Sequence, residues 1–211
     1  MKEIKLRYKE EIIYFIGPEE DHQIKMIESN GFYEKIMLMD SEKRLKEGDV
    51  VIDIGASIGN HSIFWSKVCK CKVYAFEPNP RALEFLGFNK IKNDANIEIY
   101  NIALGDKIGM GHLRIADNNI GNSTFVPGEG MINVSPLDMF GINNVRMMKI
   151  DVEGMESQVL RGAHETIDKF SPLIYMETYD NKASDILKSW GYKVTGVFNF
   201  SPTYLFEREK R

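Results

Sequence analysis

The chain has 211 residues, of which 43% are hydrophobic, 27% charged and 11% aromatic, and its formal net charge is -4. At roughly 150 residues per domain, that length is one domain with a small extension, and the composition excludes a disordered, collagen-like or coiled-coil chain. An acidic balance argues against an electrostatically driven nucleic-acid binder, and no stretch approaches the roughly 20 apolar residues of a membrane span.

The opening run MKEIKLRYKEEIIYFIG alternates charged and apolar residues and holds no uninterrupted apolar core of a targeting peptide. Within it, Ile4 to Tyr8 and Ile12 to Ile16 read as two short strands joined by a charged turn, a hairpin. Gly17-Pro18 breaks the pattern, Asp21 to Ser29 has helical spacing, and Asn30-Gly31 stops it. From Gly48 the rhythm changes. Val50 to Ile54 is a continuous apolar run, as in a strand buried on both faces, and a helix follows to about Val68. Lys72 to Phe76 (strand), Pro80 to Ile91 (helix), Ile97 to Ile102 (strand), Val145 to Ile150 (strand), Met155 to Lys169 (helix), Leu173 to Met176 (strand) and Ala183 to Trp190 (helix) continue the alternation. Tyr192 to Thr195 and Tyr204 to Glu207 close the sheet. Strands alternating with helices predict an α/β, doubly wound and mainly parallel sheet. Residues 1–47 are then an N-terminal extension packing on a core of residues 48–211.

The segment from Gly105 to Pro136 departs from that rhythm. It is rich in Gly and Asn, holds one predicted strand (Gly111 to Ala116), and reads as a long functional loop. Its Asn122, Ser123 and Thr124 are candidates to meet an acceptor. Cys69 and Cys71, one residue apart, make a poor structural disulfide, so a reduced, cytoplasmic protein is expected. No His or second Cys cluster accompanies them, and no metal site is expected there.

Chemistry concentrates at the strand ends. Asp53-Ile54-Gly55-Ala56-Ser57-Ile58-Gly59 joins a buried strand to a helix; small residues there let the backbone turn tightly and approach a ligand. The spacing is not G-x-G-x-x-G, and an acid two residues before the first glycine suits a cationic ligand better than a pyrophosphate. The plain structural alternative is a tight turn. Glu77, roughly 20 residues after the glycine loop, stands where an acidic side chain takes ribose hydroxyls, or else caps the next helix. In Lys149-Ile150-Asp151-Val152-Glu153-Gly154-Met155-Glu156, three carboxylates gather where a strand ends and a helix begins, and Glu177 adds another after the next strand. Helix capping accounts for one of them; clustered carboxylates also raise one another's pKa and supply a base, with cation binding the less favoured use.

These motifs, with Asn101-Ile102-Ala103-Leu104-Gly105-Asp106 and Val159-Leu160-Arg161-Gly162-Ala163, resemble the FkbM family of S-adenosylmethionine-dependent methyltransferases over residues 30–180. The resemblance implies a class I methyltransferase (Rossmann-like) fold, a seven-stranded sheet whose last strand is antiparallel. It implies S-adenosyl-L-methionine as cofactor, with Asp53, Gly55, Ala56, Ser57 and Gly59 under its methionine part, Glu77 at its ribose, and Asp106, or the adjacent Ala103 and Leu104, beside its adenine. It also implies methyl transfer to a hydroxyl of a small molecule, sugar or lipid. Asp151, which also faces the cofactor, is the first candidate base, with Glu153 and Glu177 behind it and His61 weaker. An NAD-type oxidoreductase and a non-catalytic binding domain are the competing readings. So little chain is left for the acceptor that a homo-oligomer is one way to complete its site.

Overall fold

The computed structural model describes residues 1–114, 123–179, 181–199 and 201–208. In chain order they form β1 (Lys2–Tyr8), β2 (Glu11–Gly17), α1 (His22–Asn30), α2 (Lys35–Glu42), β3 (Val50–Ile54), α3 (Asn60–Lys67), β4 (Lys72–Phe76), α4 (Pro80–Asn93), β5 (Ile97–Tyr100), β6 (Ala103–Leu104), β7 (Gly109–Arg114), β8 (Thr124–Pro127) and β9 (Ile132–Ser135). A 3-10 turn (Leu137–Phe140) leads to β10 (Val145–Ile150), α5 (Glu156–Gly162), α6 (His164–Phe170), β11 (Leu173–Glu177), α7 (Asn181–Ser189), β12 (Tyr192–Phe198) and β13 (Thr203–Arg208).

The main sheet has seven strands in the order β12-β13-β11-β10-β3-β4-β5. Its five strands from β11 to β5 run parallel, and β13 runs antiparallel between β11 and β12. Because side chains alternate along a strand, each central strand feeds two cores. Val51, Met147 and Tyr175 face a core shared with β2, α1, α2, α3 and α4, whereas Ile52, Ile150 and Met176 face one shared with α5, α6 and α7. The first core takes in Ile13, Phe15, Ile24, Phe32, Met37 and Leu38, all at most 3% exposed, so the N-terminal residues share with α3 and α4 the covering of that face of the sheet.

The hairpin β1–β2 is fastened by side chains rather than by a third strand. Asn89 Oδ1 accepts from the Ile16 N–H at 2.6 Å and its Nδ2 donates to the Ile16 carbonyl at 3.0 Å. Asn93, one turn later on α4, does the same with Tyr14 at 2.8 and 2.7 Å. Two amides at i and i+4 thereby imitate a strand along the free edge of β2 and satisfy backbone groups that would otherwise stay open.

Three expectations change. The long loop 105–136 is largely built: β6, β7, β8 and β9 form a second sheet in the order β6-β9-β7-β8. Two of its glycines serve packing rather than looseness. A Cβ at Gly111 would lie 2.4 Å from the Phe125 ring, and one at Gly130 would lie 1.9 Å from the Gly111 carbonyl oxygen. The single helix 155–169 is two, divided at Ala163 (φ -114°, ψ 10°), where Gly162 is pressed against the Gly105 carbonyl so closely that a Cβ would stand 1.9 Å from it. Residues 35–42, read as no element, are helical.

Candidate functional site

The glycine loop turns on two positions. Gly55 has φ +81°, and a Cβ on it would fall 1.8 Å from the Asp151 carbonyl oxygen; Gly59 has φ +92° and serves as the N-cap of α3. No other residue fits the first without displacing β10's end. Ser57, also left-handed at φ 49°, donates its backbone N–H to Glu77 Oε2 at 2.8 Å. Glu77 Oε1 accepts from Asn79 N at 2.7 Å, and Asn79 in turn caps α4 through the Arg81 N–H. Glu77 is thus both anchored and almost fully buried. Burial pushes its pKa up to about 7, against the pull of those two N–H groups.

Glu77 opens onto a cleft beyond the carboxyl ends of β3, β4 and β10. Gly55 and Asp151 form one end; Ile102, Ala103, Leu104 and Phe125 give apolar walls. Ser123 lines it too and accepts from Asn79 Nδ2 at 3.1 Å, so this residue falls on the Glu77 side. Thr124 begins β8, and Asn122 lies outside the described residues. Asp53, Ala56, Ser57 and Gly59 form the turn behind the cleft. Asp106 does not line it; its carboxylate accepts from Arg161 Nε at 3.0 Å.

A second cleft shares Asp151 and Glu153 with the first and adds Glu156, Glu177 and Tyr179. The two clefts therefore meet at a carboxylate wall. Glu153 sits at φ 52°, and burial together with Asp151 and Glu156 raises its pKa. Burial, then the negative charge of Asp151, lifts Glu177 to about 7, while Lys149 opposes the shift. Asp151 Oδ2 accepts from Lys149 Nζ at 2.8 Å.

Lys149 is the residue the motif hid. It is 2% exposed and pairs in register with Asp53 on β3 and with Tyr175 on β11. Burial alone would lower its pKa, but Asp151, Asp53 and Glu34 overcome that and raise it. Asp53 Oδ2 accepts from the Ser62 hydroxyl at 2.6 Å. Its Oδ1, and the Ser57 hydroxyl, have no hydrogen-bond partner among the described residues although both are buried. Glu34 was not read from the sequence at all. It sits in the left-handed region (φ 53°) at the start of α2. Its Oε2 lies 2.9 Å from His61 Nε2, and its Oε1 accepts from Asn199 Nδ2 at 2.7 Å. His61, considered as a base, lines neither cleft.

The strand order, the glycine turn and the acid at the end of the second central strand define a methyltransferase-like α/β fold of class I. The chain belongs to the FkbM methyltransferase family: the model described as "Methyltransferase FkbM domain" matches residues 53–194. Methyltransferase sdnD of Sordaria araneosa is 26% identical over 177 residues, covering 64% of this chain and 68% of its own. 2-O-methyltransferase NoeI of Sinorhizobium fredii is 26% identical over 162 residues, covering 65% and 66%. The crystal structure of methyltransferase FkbM from Methylobacillus flagellatus KT superposes with a TM-score of 0.56 at 20% identity, covering 78% of this chain and 44% of that one. The chain thus spans about two thirds of those curated relatives and under half of the crystallised protein. Among the described residues no helix is long and apolar enough to cross a membrane.

Proposed function

We propose that this protein transfers a methyl group from S-adenosyl-L-methionine to a hydroxyl oxygen of a small molecule, sugar or lipid-like acceptor. The observation that carries the reading is the anchored Glu77 carboxylate, set in a cleft whose other end is the missing Cβ of Gly55 beside Asp151. An adenosine fits these residues: the apolar walls at Ile102, Leu104 and Phe125 would take the base, and Glu77 would accept from two ribose hydroxyls. When bound, the cofactor supplies an electrophilic methyl on a cationic sulfur, and the acidic Asp53–Asp151 end suits that charge.

The second cleft would hold the acceptor, because it adjoins the first through Asp151 and Glu153. A hydroxyl that attacks must lose its proton, and a base is most effective with a pKa near the working pH. Glu177, at about 7, meets that condition. Asp151 is tied to an ammonium and would instead orient and screen the shared wall. The oxygen preference draws support from the printed name of the NoeI relative.

S-adenosylhomocysteine at about a hundred times its dissociation constant should stabilise the fold by about 2.7 kcal/mol, a rise of about 5–10 °C in melting temperature for this chain length. NAD should leave the melting curve unchanged. Protection by NAD and not by S-adenosylhomocysteine would overturn the reading in favour of a dinucleotide enzyme.

A further inference from the structure

Among the described residues, the buried charges behind the cleft do not balance. Glu34 and Asp53 are buried and Asp151 is partly so, and the ammonium that faces all three is that of Lys149. His61 adds a positive charge only when protonated, and even then the carboxylates stay in excess. Burial works against the Glu34 carboxylate, but the nearby His61 ring, the charge of Lys149 and the Asn199 amide hold its pKa below the ordinary range. Buried charge without a counter-charge is costly. A second, independent mark of a missing partner is Asp53 Oδ1, fully buried with no donor among the described residues.

The place of Glu34 is fixed by its neighbours. Asn60, the first residue of α3, grips the backbone of Tyr33 at both ends: its Oδ1 accepts from Tyr33 N at 3.1 Å and its Nδ2 donates to the Tyr33 carbonyl at 3.0 Å. Glu34 follows directly, over the helix start to which the glycine loop leads. We infer that Glu34 recognises the ammonium group at the amino-acid end of the cofactor, sharing it with Asp53, so that the N-terminal segment completes the donor site. The inference rests on the S-adenosylmethionine reading above. The ammonium brings the charge that the nest lacks and a donor for the orphaned oxygen. A charge-assisted hydrogen bond in such an enclosure is among the stronger polar contacts.

The competing role for Glu34 is that of a strut, tying α2, α3 and the β12–β13 turn through His61 and Asn199. Two ligands separate the roles: S-adenosylhomocysteine, and 5′-methylthioadenosine, which keeps the adenine, ribose and thioether but has no amino-acid end. Titration calorimetry on Glu34→Gln, whose amide keeps hydrogen-bonding groups toward His61 and Asn199, should show S-adenosylhomocysteine weakened by about tenfold or more, with 5′-methylthioadenosine within about twofold of the unaltered protein. Equal loss for both ligands, or loss for neither, overturns the inference. If the unaltered protein binds 5′-methylthioadenosine and S-adenosylhomocysteine equally well, the cofactor reading stands and the ammonium site falls; if it binds neither, both fall. Should the variant lose its cooperative melt, the unaltered protein still decides. S-adenosylhomocysteine must bind about tenfold more tightly than its N-acetyl derivative, and equal affinity overturns the assignment.

Discussion

Glu77 carries two demands that pull in opposite directions. Its oxygens must be ionised to accept ribose hydroxyls, yet burial raises its pKa to about 7 from an ordinary 4.5. The native state therefore binds a proton that the unfolded chain has released. This group's contribution to stability is present at low pH and is lost as pH rises from about 4.5 through about 7. Ligand affinity has the opposite slope, because the carboxylate is the acceptor. Between pH 6 and 8 the ionised fraction of a group with a pKa near 7 climbs about tenfold, so S-adenosylhomocysteine affinity should climb by about as much. Glu77→Gln should bind more weakly at pH 8 and show no such rise; titration calorimetry at three pH values checks both, and an unaltered slope in the variant would assign the pH dependence to another group. Glu77 and Asp53 were legible in the sequence because strand ends and glycine turns are local features. Glu34 and the role of Lys149 were not. Glu34 reaches His61, 27 residues on, and Asn199, 165 residues on, and no pattern along the chain announces a meeting made by tertiary packing.

The hairpin and its helix show how one element secures another without sharing a sheet with it. Asn93 is 5% exposed and Asn89 is fully buried, and each satisfies both backbone groups of a β2 residue. Asn93→Leu keeps the volume but leaves the Tyr14 N–H and carbonyl without partners. A loss of about 1–3 kcal/mol is expected, and hydrogen exchange at the Tyr14 amide should accelerate well before the central strand β3 is affected. Uniform acceleration across the sheet would instead mean that the hairpin and the core open together. The strands β3, β4 and β10 were read with their observed bounds, since each is a short, mainly apolar run set off from its neighbours by polar or glycine-containing turns. Helix α2 escaped because Ile36 and Met39 point outward, 70% and 41% exposed, which blurs its periodicity, and because its first turn has no side-chain cap. The second sheet was mistaken for a loop for a different reason. Gly111 and Gly130 are sites of close approach, and a glycine-rich segment looks the same in sequence whether it is loose or tightly packed.

Whether the N-terminal 47 residues are an accessory or part of the fold is decided by what they cover. Tyr8, Phe15, Phe32 and Phe64 form a chain of edge-on and tilted ring contacts with centroids 5.0–6.1 Å apart. Three of those rings belong to the N-terminal segment and one to α3. Ile13, Ile24, Ile27, Met37 and Leu38 are wholly buried in the same core as Val51, Trp65 and Met147. Losing one buried aromatic or large aliphatic side chain costs about 2–5 kcal/mol, and a domain's whole stability is about 5–15 kcal/mol, so removing the segment should exceed what the remainder can bear. A protein comprising residues 48–211 alone should show no cooperative thermal transition and should bind an apolar dye. A sharp melt in that shortened protein would refute the prediction and make the segment a true appendage. The two faces of the sheet make the same point about function. One is covered by α5, α6 and α7 from within the alternating βα pattern. The other needs the segment that also delivers Glu34, so the covering layer and the proposed ammonium site should be lost together when that segment is removed.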